Sequence, residues 1–115
     1  MKGDFLYLSH IRDALVRIES YVAVGREAFL TTPHWQDAVI RQLEIIGEAT
    51  KRLSEDVRSR HGEIPWRRIA GLRDVLVHHY ARVDLDVVWE VTQRDLPQLK
   101  AVVDSALRGI DDNMH

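Results

Sequence analysis

The sequence predicts an all-α protein, folded as an up-and-down bundle of four main helices. Apolar residues recur three and four positions apart along most of the chain, which is the spacing of amphipathic helices. No stretch alternates apolar and polar residues as a half-buried strand would. The length of 115 residues suits one domain, and no repeat or linker divides it. We therefore expect residues 1–115 to form a single helical domain.

The first half of the chain predicts two long helices. The first covers about residues 4–24 and ends near Gly25, because glycine is favoured just after a helix. A polar break at 31–34 precedes the second helix, which ends at 60–62. The apolar stripes of the two helices are Leu8, Ile11, Leu15, Ile18 and Val22, and then Val39, Leu43, Ile46, Leu53 and Val57.

The second half predicts two more helices. The third covers about residues 65–79 and starts at Pro65, since proline is tolerated in a first helical turn. Asp84 is the predicted N-cap of the fourth, whose apolar stripe continues to Ile110. Pro97 lies inside this stripe and lacks an amide hydrogen, so it predicts a kink.

Composition narrows the class of protein. Hydrophobic residues at 45% and charged residues at 30% are ordinary for a soluble globular chain. The first 25 residues mix charged and apolar positions, so we expect a cytoplasmic protein without membrane contact. The absence of cysteine removes disulfides, thiolate zinc sites and cysteine nucleophiles. We expect no cofactor, since no phosphate-cradling glycine loop or dinucleotide fingerprint is present. We also expect no metal, because the adjacent His78 and His79 point about 100° apart on a helix.

The net charge of -2 gives no general attraction to nucleic acid. Any RNA contact must therefore come from a local basic cluster. The arginines that could form one are Arg52, Arg58, Arg60, Arg67, Arg68, Arg73 and Arg82.

The most informative motif is Arg73, then His78 after four residues, then Tyr80. A guanidinium can hold a phosphate in a two-pronged grip, and an imidazole can move protons to and from a ribose 2′-OH. Asp74 shares a helix face with His78 and could orient it. Arg73 and His78, in contrast, project about 140° from each other. Either the helix loosens before His78, or two subunits assemble the site across a two-fold axis.

Other polar and aromatic groups have competing interpretations. Glu44 and Glu48 are four apart and could act as a carboxylate pair or position Arg73, but Arg41 and Arg52 can neutralise them locally. Tryptophans at helical spacing usually lie in a core or an interface. We expect this of Trp66 and Trp89, although Trp66 could stack on a base.

Beyond the motif, residues 35–99 resemble the HepT-type toxins, small members of the HEPN superfamily. The matching stretches are QDAV at 36–39, LEIIGEA at 43–49, IPW at 64–66 and DLP at 95–97. The resemblance implies a homodimeric, metal-independent endoribonuclease, the toxin of a type VII pair. It also implies an adjacent nucleotidyltransferase antitoxin of the MntA type, which transfers AMP to Tyr80.

On this interpretation His78 carries protons, Arg73 stabilises the pentacoordinate phosphate and Asp74 orients His78. The expected product carries a 2′,3′-cyclic phosphate. Two alternatives remain open. One is a non-catalytic dimeric binding module that docks a nucleotidyltransferase, and the other is a helical adaptor without an active site.

Overall fold

A computed structural model of the protein describes the backbone of residues 2–78 and 84–113, and the side chains of residues 3–72 and 84–110. Over this part of the chain there are α-helices and a π-helical segment and no strand, which confirms the all-α prediction. The α-helices are α1 (Lys2–Val22), α2 (Arg26–Thr31), α3 (Pro33–Lys51), α4 (Glu55–Arg60), α5 (Trp66–His78), α6 (Leu85–Glu90) and α7 (Leu96–Asn113).

The turn between α1 and α2 depends on the glycine at position 25. After α1 ends at Val22, Gly25 adopts a φ of 97°, in the left-handed region that glycine enters without steric cost. The short helix α2 follows directly. The sequence pattern does not predict α2, because six residues are too few to show a helical repeat. Its Phe29 is fully buried and lies 5.5 Å from the ring of Trp89, measured between centroids.

The prediction of one long helix reaching residue 60 is wrong, because the structure divides it into α3 and α4. Ser54 interrupts the helix in an extended conformation, and its hydroxyl accepts a hydrogen bond from the Val57 amide. Side-chain capping of this kind competes with helical hydrogen bonding. Leu53 and Val57 are both buried, so the apolar stripe continues across the break. The apolar pattern of the sequence therefore gives no sign that the helix is interrupted.

The last helices follow the predicted pattern more closely. The Asp84 carboxylate accepts hydrogen bonds from the amides of Asp86 at 3.0 Å and Val87 at 3.4 Å, so the predicted N-cap of α6 is confirmed. Between α6 and α7 lies a π-helical segment, Val91–Asp95, which ends two residues before Pro97. The sequence predicts a kink at Pro97, and π-helical turns such as the one just before this proline are a known cause of helix bending.

Helix α3 forms the centre of the packing. It contacts α1 and α5, and α1 also contacts α7. The fully buried aliphatic residues include members of the stripes of the predicted first, second and fourth helices, namely Leu8, Ile11, Ile18, Val39, Leu43, Ile46, Leu99 and Val103. Among the residues described, no helix combines the length and the apolar character needed to cross a bilayer.

Candidate active site

Helix α5 carries three of the four predicted site residues. Arg73, Asp74 and His78 lie in its C-terminal half, and His78 is its last residue. Tyr80 lies outside the described residues, as do the side chains of the other three. The structure therefore defines the helix that bears the motif and the residues that hold this helix in place.

The beginning of α5 is fixed by Trp66. The indole is buried, and its Nε1–H donates to the carbonyl of Arg58 at 3.1 Å and to that of His61 at 2.9 Å. One turn later, Ile69 is also buried. The expectation that Trp66 belongs to the core is therefore correct, and its ring is not free to stack on a base. Trp89 is likewise buried.

The backbone of α5 is helical from Trp66 to His78 without interruption. The helix therefore does not loosen before His78, which was one of the two ways to bring the motif together. On a continuous helix, positions five apart lie about 140° apart around the axis, whereas positions four apart lie on one face. Of the two predicted ways to bring the motif together, assembly across a two-fold axis remains.

The two glutamates of α3 are paired on their own helix, as predicted. A carboxylate oxygen of Glu44 lies 3.7 Å from Nη1 of Arg41, and one of Glu48 lies 3.8 Å from Nη2 of Arg52. In the part of the chain that the structure describes, no three histidine, aspartate or glutamate side chains converge as metal ligands.

The arginines predicted to offer a basic cluster are only partly described. Three of them are paired with acids in separate surface clefts, so their charge is locally balanced. The pairs are Arg52 with Glu48 at 3.8 Å, Arg60 with Asp56 at 3.3 Å, and Arg68 with Asp95 at 3.2 Å. The side chains of Arg73 and Arg82 lie outside the described residues.

A cleft that the sequence pattern does not reveal lies between α1 and α3, with a volume of about 280 Å³. We call it the α1–α3 cleft. Its polar and aromatic lining consists of Tyr7, His10, Arg41, Glu44, Glu48 and Arg52. Tyr7 and His10 are three apart and share a face of α1, and this spacing could have been found in the sequence. Their meeting with α3, more than thirty positions away, depends on tertiary packing.

An all-helical domain with an arginine and a histidine on one helix is compatible with many functions, and comparison with known proteins narrows them. Residues 11–106 match the family model described as "Ribonuclease HepT-like", and this range includes the whole motif. The chain therefore belongs to the HepT-like ribonuclease family of the HEPN superfamily. No solved structure matches it.

Named relatives agree with this assignment. A "Probable ribonuclease HepT" of Thermococcus cleftensis is 45% identical over 95 residues, covering 82% of this chain and 86% of the relative. A "Putative RNase" of Caldanaerobacter subterraneus is 38% identical over 109 residues, covering 94% and 97%. A "Gamma-glutamylcyclotransferase and putative RNase" of Methanocaldococcus jannaschii is 41% identical over 109 residues. The chain spans only 49% of that last protein.

Proposed function

We propose that this protein is a metal-independent endoribonuclease and the toxin of a toxin–antitoxin pair that acts in the cytoplasm. The observation that carries the proposal is the HepT-like match over residues 11–106, which contains Arg73, Asp74 and His78. The names of three relatives, each an RNase or ribonuclease, support the same activity.

In the proposed reaction the ribose 2′-oxygen attacks the neighbouring phosphorus and the bond to the 5′-oxygen breaks. His78 accepts the 2′-OH proton, and a proton is returned to the leaving 5′-oxygen. Arg73 stabilises the charge that builds on the phosphate oxygens, and Asp74 orients the imidazole from one helical turn away. The products are a 2′,3′-cyclic phosphate and a free 5′-OH.

We also propose that two copies of an up-and-down four-helix bundle form a homodimer with α5 at its two-fold axis. The uninterrupted α5 supports this proposal, because positions 73 and 78 are five apart and lie about 140° apart around the axis of a regular helix. In a dimer, Arg73 of one protomer and His78 of its partner can approach the same phosphate. Such closed two-fold dimers are the commonest oligomers of soluble proteins.

The test is cleavage of a single-stranded RNA by purified protein with EDTA present, with the product ends identified by mass spectrometry. We expect cyclic phosphate ends, and a loss of about 10²- to 10⁴-fold in His78→Ala, the usual range for removal of an acid–base group. His34→Ala, an exposed histidine outside the motif, serves as control. Activity that EDTA abolishes and magnesium restores would contradict the metal-independent mechanism.

Tyr80 is the proposed site of regulation by an MntA-like nucleotidyltransferase antitoxin. The phenol oxygen attacks the α-phosphorus of ATP and loses its proton, pyrophosphate leaves, and AMP remains on Tyr80. The added phosphate lies within the motif that contains Arg73, so it would occupy the guanidinium meant for the substrate.

Co-expression with the cognate nucleotidyltransferase should therefore add one or more AMP units to the wild type and suppress its toxicity. Tyr80→Phe should keep cleaving RNA and escape suppression. Intact-protein mass spectrometry and a growth assay measure both effects. Equal rescue of the two proteins would defeat the modification. AMP addition to a protein that cleaves no RNA would favour a non-catalytic module that docks the transferase.

A further inference from the structure

The α1–α3 cleft brings three flat side chains into contact, those of Tyr7, His10 and Arg52. The guanidinium carbon of Arg52 lies 5.9 Å from the centroid of the Tyr7 ring, which is a cation–π arrangement. The His10 ring meets Tyr7 edge to face, with centroids 6.0 Å apart and planes at 85°. Because 59% of the Arg52 side chain is exposed, the guanidinium keeps a surface open to solvent. Unpaired RNA bases stack on such guanidinium planes and on aromatic rings.

The two arginines of the cleft still have hydrogen-bond donors to offer. The carboxylates of Glu44 and Glu48 lie 3.7 and 3.8 Å from them, which is longer than a hydrogen bond. A guanidinium carries five N–H donors and prefers the paired oxygens of a phosphate. Arg41, with 70% of its side chain exposed, is therefore suited to hold a phosphate at the mouth of the cleft.

A carboxylate in a cleft distinguishes among bases by the hydrogen-bond donors that they present. An ionised carboxylate only accepts hydrogen bonds, so it pairs best with a base edge that presents two adjacent donors. Guanine presents N1–H and the N2 amino group side by side, whereas the corresponding edge of adenine presents an acceptor. Glu44 is the better placed of the two, because only 26% of its side chain is exposed and the cleft shields its contacts from water.

We propose that the α1–α3 cleft binds one unpaired guanine of the RNA substrate, at a short distance from the cleaved bond. This inference rests on the proposed ribonuclease function. Helix α3 lines the cleft and also packs against the motif helix α5. A helix is about 10 Å across, so a strand held at α5 needs to span only a short distance to reach the cleft. The base stacks on Arg52, its edge pairs with Glu44, and Arg41 holds the adjoining phosphate.

The experiment measures RNA binding without cleavage. His78→Ala protein is titrated into a fluorescein-labelled pentanucleotide with one guanine among uridines, and the anisotropy is followed. A second pentanucleotide carries adenine in place of guanine. We expect about tenfold tighter binding of the guanine RNA, the lower part of the range for a bidentate base contact.

Two substitutions in the His78→Ala background locate the contact. Glu44→Gln should abolish the preference for guanine, and Arg52→Ala should weaken binding of both RNAs about five- to tenfold, as loss of one stacking contact does. Arg94→Ala is the matched control, because Arg94 also pairs with a glutamate four residues away, at 3.4 Å, and lies outside the cleft. Thermal unfolding confirms that each variant is folded.

Equal binding of the two RNAs, or a guanine preference that survives Glu44→Gln, would overturn the inference. Guanosine 5′-monophosphate that binds as tightly as the pentanucleotide would overturn the assignment to RNA, since the strand would then add no contact. A guanine preference in a protein whose wild type cleaves no RNA would support the cleft while refuting the ribonuclease function.

Discussion

Asp4 is a buried carboxylate that joins the start of α1 to the start of α4. Only 4% of the residue is exposed, and its two oxygens accept hydrogen bonds from the Ser54 amide at 2.8 Å and the Ser54 hydroxyl at 2.7 Å. Ser54 in turn caps α4. The Asp4 side chain therefore fixes Ser54, the residue at which the predicted continuous helix is interrupted.

Asp4→Ala should lower the free energy of unfolding by about 1–3 kcal/mol, because it leaves the partly buried amide and hydroxyl donors of Ser54 without their acceptor. Urea denaturation followed by circular dichroism measures the change. Asp13→Ala, an exposed aspartate on the same helix, should change stability by less than about 0.5 kcal/mol. Equal effects of the two substitutions would show that Asp4 acts only as a surface charge.

At Arg73 the shape of the charged group should matter more than its charge. Arg73→Lys keeps the positive charge and loses the planar fork, so RNA cleavage should fall by roughly 10²-fold. A cleavage assay on the purified protein measures the loss. The control is Arg67→Lys, an exposed arginine of the same helix. Full activity in Arg73→Lys would remove the bidentate phosphate contact from the mechanism.

The roles of some single residues could be predicted from the sequence, because their hydrogen-bond partners lie only a few positions away along the chain. Asp84 was identifiable as an N-cap because the amides it accepts from are two and three residues away. The Asp4 contact was not, since its partner lies fifty positions later. The ion pairs of Glu44 with Arg41 and of Glu48 with Arg52 were predictable for the same local reason, since each pair is three or four residues apart.

Among the elements, α5 depends on its first residue. Trp66→Phe keeps a ring in the core and removes the donor shared by the carbonyls of Arg58 and His61. We expect a loss of about 1 kcal/mol in stability and faster hydrogen exchange in the first turns of α5. Trp35→Phe, a partly buried tryptophan at the start of α3, should leave exchange in α5 unchanged. Exchange mass spectrometry that shows no difference between the variants would contradict this anchoring role.

The apolar stripes predicted the long helices, because three-four periodicity is a direct consequence of one buried face. They did not reveal where helices break. Leu53 and Val57 are buried on the two sides of Ser54, so the stripe passes through the interruption. The π-helical segment was not predicted either, since Pro97 indicated only a kink.

For the whole molecule, the decisive prediction concerns how the site is shared. Arg73→Ala and His78→Ala proteins, each inactive, are denatured together and refolded as a mixture. Random pairing makes about half of the dimers mixed, each with one intact site, so about a quarter of wild-type activity should return. A site contained within one protomer would give no recovery. Size-exclusion chromatography with light scattering confirms that the refolded species is a dimer.

The sequence could not show which helices meet, because pairing of helices far apart in the chain leaves no local pattern. The contact of α3 with both α1 and α5 is such a case. It creates the α1–α3 cleft, whose two aromatic residues and four charged residues come from opposite ends of the first fifty-two positions. The composite active site is a proposal for the same reason.

The π-helical segment determines how the chain tolerates a change of length. A π turn contains one residue more than an α turn. The segment Val91–Asp95, just before Pro97, therefore has one residue more than a regular α-helix would have there. Deleting Gln93 should keep the directions of α6 and α7, but it would place the proline inside a regular helix at a cost of about 3 kcal/mol. Adding Pro97→Ala to the deletion should recover most of that stability in urea denaturation. Deleting Ala101 instead turns the rest of α7 by about 100°, and Pro97→Ala should not rescue it. The surplus residue and the proline should therefore be gained or lost together.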